Sequence, residues 1–85
     1  MRLHGRVLRA GLPVEGAYVR LIGPSGDFTA EVRTDESGRF LFYPFAGTWV
    51  LRGVLPGGHS LQHTVSLTEG QTMDIQLVDE DVPGA

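Results

Sequence analysis

The residues of this chain that could do chemistry are three histidines, a serine in a glycine-rich turn and two acidic turns. His59 and His63 are four residues apart, a spacing that suits one metal ion on a helix. On a strand the rise of about 3.3 Å per residue would separate them by roughly 13 Å. They could share one metal ion only if Gly57-Gly58 curls the start of the strand, and the alternative is a metal site that includes His4 from a neighbouring strand. We expect no metal site and interpret these histidines as structural or exposed.

Ser25 lies in the turn Gly23-Pro24-Ser25-Gly26, which superficially resembles a nucleophile elbow. That motif is Gly-x-Ser-x-Gly on a strand-to-helix turn, whereas here the second glycine follows the serine directly. The acidic residues of the Asp27 turn and the Asp35-Glu36 turn lack the spacing of a calcium-binding loop. These turns are interpreted as structural. The sequence therefore predicts a protein that is not an enzyme and that has no cofactor.

The residue types that are missing exclude further chemistry. The chain has no Cys, so it contains no disulfide, thiolate metal ligand or thiol nucleophile. It has no Lys, which excludes Schiff-base and P-loop chemistry and places its positive charge on 7 arginines. Small secreted domains are usually stapled by disulfides, so we expect a cytoplasmic protein. No apolar run approaches the roughly 20 residues that span a bilayer, so we expect no membrane association.

The charge distribution argues against nucleic acid as a partner. The formal net charge is −3, and three of the 10 acidic residues form the run Asp79-Glu80-Asp81. Without that run the chain is nearly neutral, which is unlike the basic surface of a nucleic-acid binder. The hydrophobic alternation also ends there. The sequence predicts one domain over residues 1–78 and a flexible acidic tail over residues 79–85.

Hydrophobic alternation with a period of two predicts strands along the whole domain. Seven alternating segments are separated by turns rich in Gly, Pro, Asp and Ser, at intervals of roughly 8 to 12 residues. Leu3 and Val7 belong to the inward row of the first segment, and Phe40, Phe42 and Trp49 belong to inward rows of later ones. No segment has helical periodicity. The pattern predicts an all-β, seven-stranded antiparallel sandwich with Trp49 in its core.

The outward rows offer a candidate site, which is a possible interaction face. Its residues are Arg2, His4, Arg6, Tyr18, Arg20 and Arg52. If their strands are neighbours, the arginines form a stripe suited to carboxylates or phosphates of a partner. The alternative is a solvated face whose arginines are balanced by nearby acidic residues. Tyr18, Ile22, Val50 and Val54 add an apolar contact patch for another protein or for a second copy in a homodimer.

The corner between two predicted strands offers a different function. Tyr43 and Phe45 flank Pro44 at this corner, and Trp49 follows shortly after. Aromatic rings of this kind can stack on a sugar ring, although aromatic-proline corners more often plug the end of a core. A carbohydrate or small-molecule binding module that uses these three rings is therefore the alternative to a protein-interaction module.

Four groups of turn and core residues form a further pattern. They are Leu3-x-Gly5-x-Val7, Pro13-Val14-x-Gly16-Ala17-x-Val19-x-Leu21, Thr34-Asp35-x-x-Gly38-x-Phe40 and Gly47-Thr48-Trp49-x-Leu51. This pattern, over residues 3–78, resembles the carboxypeptidase regulatory-like domains. The resemblance implies a transthyretin-like, or prealbumin-like, Greek-key arrangement of the seven strands. Because each motif marks a turn or a core position, it implies no activity.

Three longer segments carry a closer resemblance. They are Gly16-Ala17-Tyr18-Val19-Arg20-Leu21, Asp27-Phe28-Thr29-Ala30-Glu31-Val32 and Gly47-Thr48-Trp49-Val50-Leu51-Arg52. They look like a small actinobacterial family of unknown function whose members are associated with thiosulfate sulfurtransferases. That family has no assigned catalytic residues. Residues and resemblance together predict a non-catalytic accessory or protein-interaction module whose partner is another protein.

Overall fold

The computed structural model describes residues 1–79, which form eight strands and no helix. The strands are β1 (Arg2–Arg9), β2 (Leu12–Pro13), β3 (Tyr18–Ile22), β4 (Phe28–Arg33), β5 (Arg39–Phe42), β6 (Gly47–Val54), β7 (Ser60–Leu67) and β8 (Thr72–Asp79). The predicted all-β class is confirmed. The predicted number of seven strands omitted β2, because two residues are too short to show an alternating pattern. Within this described part of the chain, no helix could cross a membrane.

Two four-stranded sheets build the domain. Sheet II has the order β4-β3-β6-β7, and all of its strand pairs are antiparallel. Sheet I is centred on β1, which pairs antiparallel with β5 and β2 along one edge. Along its other edge β1 pairs with β8, and this pair is parallel over the whole length of both strands. The predicted antiparallel arrangement is wrong for this pair, because a period-two pattern is the same in parallel and antiparallel strands.

The core lies between the two sheets and is aliphatic and aromatic. Its buried members are Leu3, Val7, Val14, Ala17, Val19, Leu21, Phe40, Phe42, Leu51, Leu55, Val65, Leu67 and Leu77. Alternate residues of the strands other than β2 pack in or against this core, as expected when one face of each sheet is buried. Trp49 packs against the core while remaining half-buried, and its indole nitrogen donates to the Phe45 carbonyl at 2.8 Å. The predicted inward phase of β6 is therefore confirmed.

A tight turn between β4 and β5 connects the two sheets. The Asp35 Oδ1 atom accepts hydrogen bonds from the backbone N–H groups of Ser37 and Arg39, each at 2.9 Å. Gly38 follows with a φ of 76°, which glycine adopts without a Cβ penalty. The turn starts at the buried Thr34, whose hydroxyl donates to the Val14 carbonyl at 2.7 Å. The residue types predict this turn, because an Asp can bond the backbone two residues on and a Gly adopts a positive φ.

Asp79 is the last residue of β8 and is 5% exposed, so the prediction that the tail starts here is wrong. Its Oδ2 atom lies 3.1 Å from Arg9 Nε and 3.1 Å from His59 Nδ1. Arg9 occupies the inward phase at the end of β1, and the parallel register places it beside Asp79. The carboxylate therefore compensates a guanidinium at the end of the core. Residues 80–85 of the predicted tail lie outside the described residues.

Candidate functional site

The structure divides the predicted interaction face between opposite sides of the sandwich. Arg2, His4 and Arg6 alternate with buried residues of β1 and lie on the outer face of sheet I. The other three residues, Tyr18, Arg20 and Arg52, belong to β3 and β6 and lie on the outer face of sheet II. The prediction of a single arginine stripe is therefore wrong, because β1 neighbours neither β3 nor β6. Alternation indicates which residues point outward, but not from which sheet.

The outer face of sheet II is called the Arg20 face. It consists of Tyr18, Arg20, Ile22, Phe28, Glu31, Arg33, Val50, Arg52 and Val54. Arg20 is opposite Glu31 on β4 and opposite Arg52 on β6. Its Nε atom donates to Glu31 Oε2. The Arg52 side chain has no such partner within residues 1–79, so one carboxylate serves a row that holds two guanidinium groups.

Two aromatic rings extend the Arg20 face. The guanidinium carbon of Arg20 lies 5.9 Å from the centre of the Phe28 ring, and that of Arg33 lies 6.0 Å from the centre of the Tyr18 ring. Both distances are in the range of cation-π attraction. Each contact also holds a long arginine side chain against a flat ring, which limits its rotamer freedom before any partner binds.

Phe28 reaches this face through a backbone irregularity that the sequence pattern does not show. By alternation Phe28 shares the phase of Ala30 and Val32, which are half-buried. The register of β4 shifts at its start, so that Phe28 lies opposite Ile22 and is 63% exposed. Such a bulge turns one side chain to the other face of the sheet. Sequence reasoning therefore did not include Phe28 in the interaction face.

The outer face of sheet I carries a second group of arginines. Arg39 on β5 is opposite Arg6, and Asp74 on β8 is opposite His4. The His4 Nδ1 atom lies 3.5 Å from Asp74 Oδ1. Arg6 donates from Nε to the Ser37 carbonyl at 3.1 Å. Asp74 is thus the acidic residue that lies opposite His4, the histidine of the predicted interaction face.

An open depression runs from this face around the free edge of β5, and it is called the basic groove. It has a volume of about 490 Å³ and is lined by Arg2, His4, Gly5, Val32, Arg33, Asp35, Arg39, Phe40 and Leu41. Two of its arginines, Arg33 and Arg39, are absent from the predicted face. Both arginines alternate with apolar residues in the sequence, and this alternation predicts that their side chains are exposed. The approach of β4 to β5, which brings these arginines together, is a tertiary feature.

Charge is distributed unevenly between strands and turns. All 7 arginines lie on strands, and six of them point to the two outer faces, three on each. Within residues 1–79 the acidic residues on those faces are Glu31 and Asp74, whereas most of the others lie in turns. Each outer face is therefore locally basic although the chain has a net charge of −3. Both faces favour negatively charged ligands.

The aromatic corner between β5 and β6 is exposed. Tyr43 is 71% exposed and Phe45 is 83% exposed, the largest values among the large hydrophobic residues of the described chain. The Trp49 indole nitrogen donates to the Phe45 carbonyl, and its ring packs against the core. Tyr43 and Phe45 are therefore the two rings of the corner that are most exposed to a ligand.

The residues that sequence reasoning examined for catalysis and metal binding are not brought together. His59 contacts Asp79, His4 contacts Asp74, and His63 lies exposed on β7. Within residues 1–79 there is no group of three or more His, Asp or Glu side chains that could hold a metal ion. Ser25 lies in an exposed turn closed by a hydrogen bond from the Gly26 N–H to the Gly23 carbonyl.

Similar sequences occur in mycobacteria. An uncharacterised protein of Mycolicibacterium smegmatis is 43% identical over 56 residues, which cover 65% of this chain and 62% of that protein. Two uncharacterised proteins of Mycobacterium tuberculosis are also 43% identical over 56 residues, and the match covers 65% of this chain and 56% of each relative. The chain therefore spans less than two thirds of the length of these relatives.

The fold and the family are shown by two further comparisons. The chain is similar to part of the Bacillus anthracis TIE protein, with a TM-score of 0.74 and 14% identity over 92% of this chain and 16% of that one. At this identity the likeness is one of fold, and it supports a β-sandwich. Residues 1–78 match the family described as "Protein of unknown function (DUF1416)". Because that match covers nearly the whole chain, the chain belongs to the DUF1416 family.

Proposed function

We propose that this domain is a non-catalytic protein-interaction module that binds an acidic partner through the Arg20 face. The observation that carries the proposal is the position of Arg52 directly opposite Arg20, with one carboxylate, Glu31, for the two guanidinium groups. Like charges in directly opposite cross-strand positions destabilise a sheet. A carboxylate supplied by a partner would relieve that repulsion and form a charge-assisted hydrogen bond with Arg52.

The composition of the Arg20 face supports an interface rather than a solvated surface. Tyr, Phe and Arg are enriched at protein interfaces and supply most of their binding energy. Here Tyr18 and Phe28 each contact an arginine. Ile22 lies opposite Phe28 and Val50, and Val54 lies opposite Tyr18. Side chains that are already held in place lose less entropy when a partner binds.

The charge of this face favours a different protein over a second copy of this chain. A two-fold symmetric dimer places the same patch on both sides of the interface. Such a contact through the Arg20 face would bring arginines against arginines, with Glu31 as the one carboxylate of each copy on this face. We therefore propose an acidic surface on another protein, and a homodimer is an outcome that the test can reveal.

The test is capture of a partner by the tagged chain from a lysate of its own organism. We expect a stoichiometric partner to be recovered by the unmodified chain and lost with Arg52→Glu. The matched control is Arg6→Glu, which makes the same charge change on the outer face of sheet I. Circular dichroism would verify that both variants are folded. Recovery that is unchanged by Arg52→Glu, or equally reduced by Arg6→Glu, would contradict the proposal, as would the absence of any partner.

The motif pattern supports further proposals about the structural family and the cellular location of the protein. We propose that the strands follow the prealbumin-like Greek key of the carboxypeptidase regulatory-like domains, and that the protein acts as an accessory protein in the cytoplasm. Thr34 and Gly38 occupy the turn positions that the resemblance assigns to them. Because the related actinobacterial family is associated with thiosulfate sulfurtransferases, such an enzyme is the first partner to look for among the captured proteins.

The aromatic corner supports a second candidate function, the binding of a carbohydrate. The supporting observation is the exposure of Tyr43 and Phe45. The Trp49 indole nitrogen donates to the Phe45 carbonyl, so its fluorescence should report a sugar that stacks at this corner. A saturable change in emission on titration with oligosaccharides, lost in a Tyr43→Ala, Phe45→Ala variant, would favour this candidate over the first.

A further inference from the structure

We propose that the basic groove binds a small organic polyanion, a molecule that carries two or more carboxylate or phosphate groups. This site lies on sheet I and at the edge of β4 and β5, so it is separate from the Arg20 residue pair that would bind a protein. It adds a ligand class that the proposed interaction does not require. Four features of the groove lead to this proposal. They are the open edges of β4 and β5, the positive charge of the lining, the hydrogen bonds that already hold the one carboxylate, and the apolar residues of the lining.

The groove lies where both sheets have an open edge. Within residues 1–79, β5 pairs with β1 alone and β4 pairs with β3 alone. The space beside them is therefore not filled by another strand of this part of the chain. Its volume of about 490 Å³ is within the range of about 300 to 1,000 Å³ that is typical of small-molecule sites.

Arginines from three different strands line the groove. Arg2 belongs to β1, Arg33 to β4 and Arg39 to β5, and His4 is a further member of the lining. The Arg33 guanidinium contacts the Tyr18 ring of the Arg20 face. Neither Arg2 nor Arg39 has a side-chain hydrogen bond or ion pair to another residue of the described chain. Positive charge is thus concentrated here, and two of its sources retain all of their donors for a ligand.

The groove contains one carboxylate, and that carboxylate is already engaged. The Oδ1 atom of Asp35 accepts from the backbone N–H groups of Ser37 and Arg39. These bonds hold the Asp35 side chain in the turn, and the arginines that line the groove outnumber this one acid. The excess positive charge makes the groove selective for anions.

The lining also indicates the kind of anion. A guanidinium group binds carboxylate or phosphate through two parallel hydrogen bonds, so the guanidinium groups of Arg2 and Arg39, on different strands, match more than one anionic group. A single monovalent ion would engage one of them. Val32, Phe40 and Leu41 also line the groove and contribute apolar surface for contact with a carbon skeleton. Citrate and pyrophosphate represent the carboxylate and phosphate members of this class.

The test is a titration of the isotope-labelled full chain with citrate and with pyrophosphate, followed by NMR in a buffer without phosphate. Sodium chloride at matched ionic strength serves as the reference. We expect saturable shifts of the amide signals of Arg2, Arg39 and the 33–36 segment. The variants Arg39→Gln and Arg2→Gln should each weaken the affinity at least tenfold. Arg52→Gln, on the opposite face, should bind as the unmodified chain does.

Each result decides for or against the site. Saturable binding that is weakened by Arg39→Gln or Arg2→Gln and retained by Arg52→Gln supports it, and the stronger probe identifies the preferred acid group. The absence of saturable shifts with both probes overturns it. Equal affinities of the two groove variants and the unmodified chain also overturn it, as does equal weakening by Arg52→Gln. Because partner capture is tested with Arg52→Glu, either proposal can fail without the other.

Discussion

Arg20 on β3 and Arg52 on β6 are direct cross-strand neighbours on the outer face of sheet II. Glu31 bonds Arg20 from the other side, and Arg52 has no ion-pair partner in residues 1–79. A cross-strand pair of like charges weakens the sheet that carries it. The proposed acidic partner would relieve this repulsion, so the effect of Arg52 on stability and its effect on partner binding should have opposite signs.

Arg52→Glu should stabilise the isolated domain while it removes partner binding. The new carboxylate would face Arg20 and replace a repulsive pair by an attractive one, worth about 0.2 to 1 kcal/mol in the free energy of unfolding. Urea denaturation followed by circular dichroism measures this change, with Arg52→Gln as the variant that removes repulsion alone. A domain that is less stable than the unmodified one in both variants would show that Arg52 has a structural role instead.

Gly38→Ala should destabilise the domain much more than Gly26→Ala. Both glycines have a positive φ, 76° and 81° respectively, so both substitutions pay about 1 kcal/mol for backbone conformation. A Cβ atom at Gly38 would lie 2.8 Å from the Val7 carbonyl oxygen, whereas Gly26 has nothing within 4 Å. We expect this overlap to add about 1 to 3 kcal/mol. Equal losses on urea denaturation would argue against close packing of this turn on β1.

Thr34→Val should cost more stability than Thr34→Ser. The buried hydroxyl of Thr34 accepts from the Ala17 N–H at 2.9 Å and donates to the Val14 carbonyl at 2.7 Å. Valine keeps the shape and leaves two buried backbone groups unsatisfied, at about 1 to 3 kcal/mol each. Serine keeps both bonds and loses one methyl group, at about 1 kcal/mol. Thermal unfolding of the two variants in parallel compares them, and the opposite order would contradict this bonding.

Asp79→Asn should lower the free energy of unfolding by about 2 to 4 kcal/mol, because it removes a buried charge that faces Arg9 and His59. The matched control is Asp74→Asn, which affects an ion pair on the surface. The Asp74 side chain is 71% exposed, so its loss should cost less than about 0.5 kcal/mol. Urea denaturation at neutral pH measures both. A small loss for Asp79→Asn would mean that residue 79 belongs to the tail, as the sequence suggested.

The strands and their buried faces could be predicted from sequence because they depend on local periodicity. Alternation places Leu3, Val7, Phe40 and Phe42 in the core, where all four are buried. The turn at Asp35 was also predictable, since an Asp side chain and a glycine specify it locally. The position of Asp79 was not, because its burial depends on Arg9, which is distant in the sequence.

By itself the sequence determined the all-β class, the phase of most strands and the absence of thiol and lysine chemistry. Only the tertiary structure decided that the predicted arginines separate onto two faces, that β8 runs parallel to β1, and that Phe28 turns outward at a bulge. The reason is physical. Alternation reports which side of a strand meets the core, whereas strand order, direction and register depend on hydrogen bonds between residues far apart in the chain.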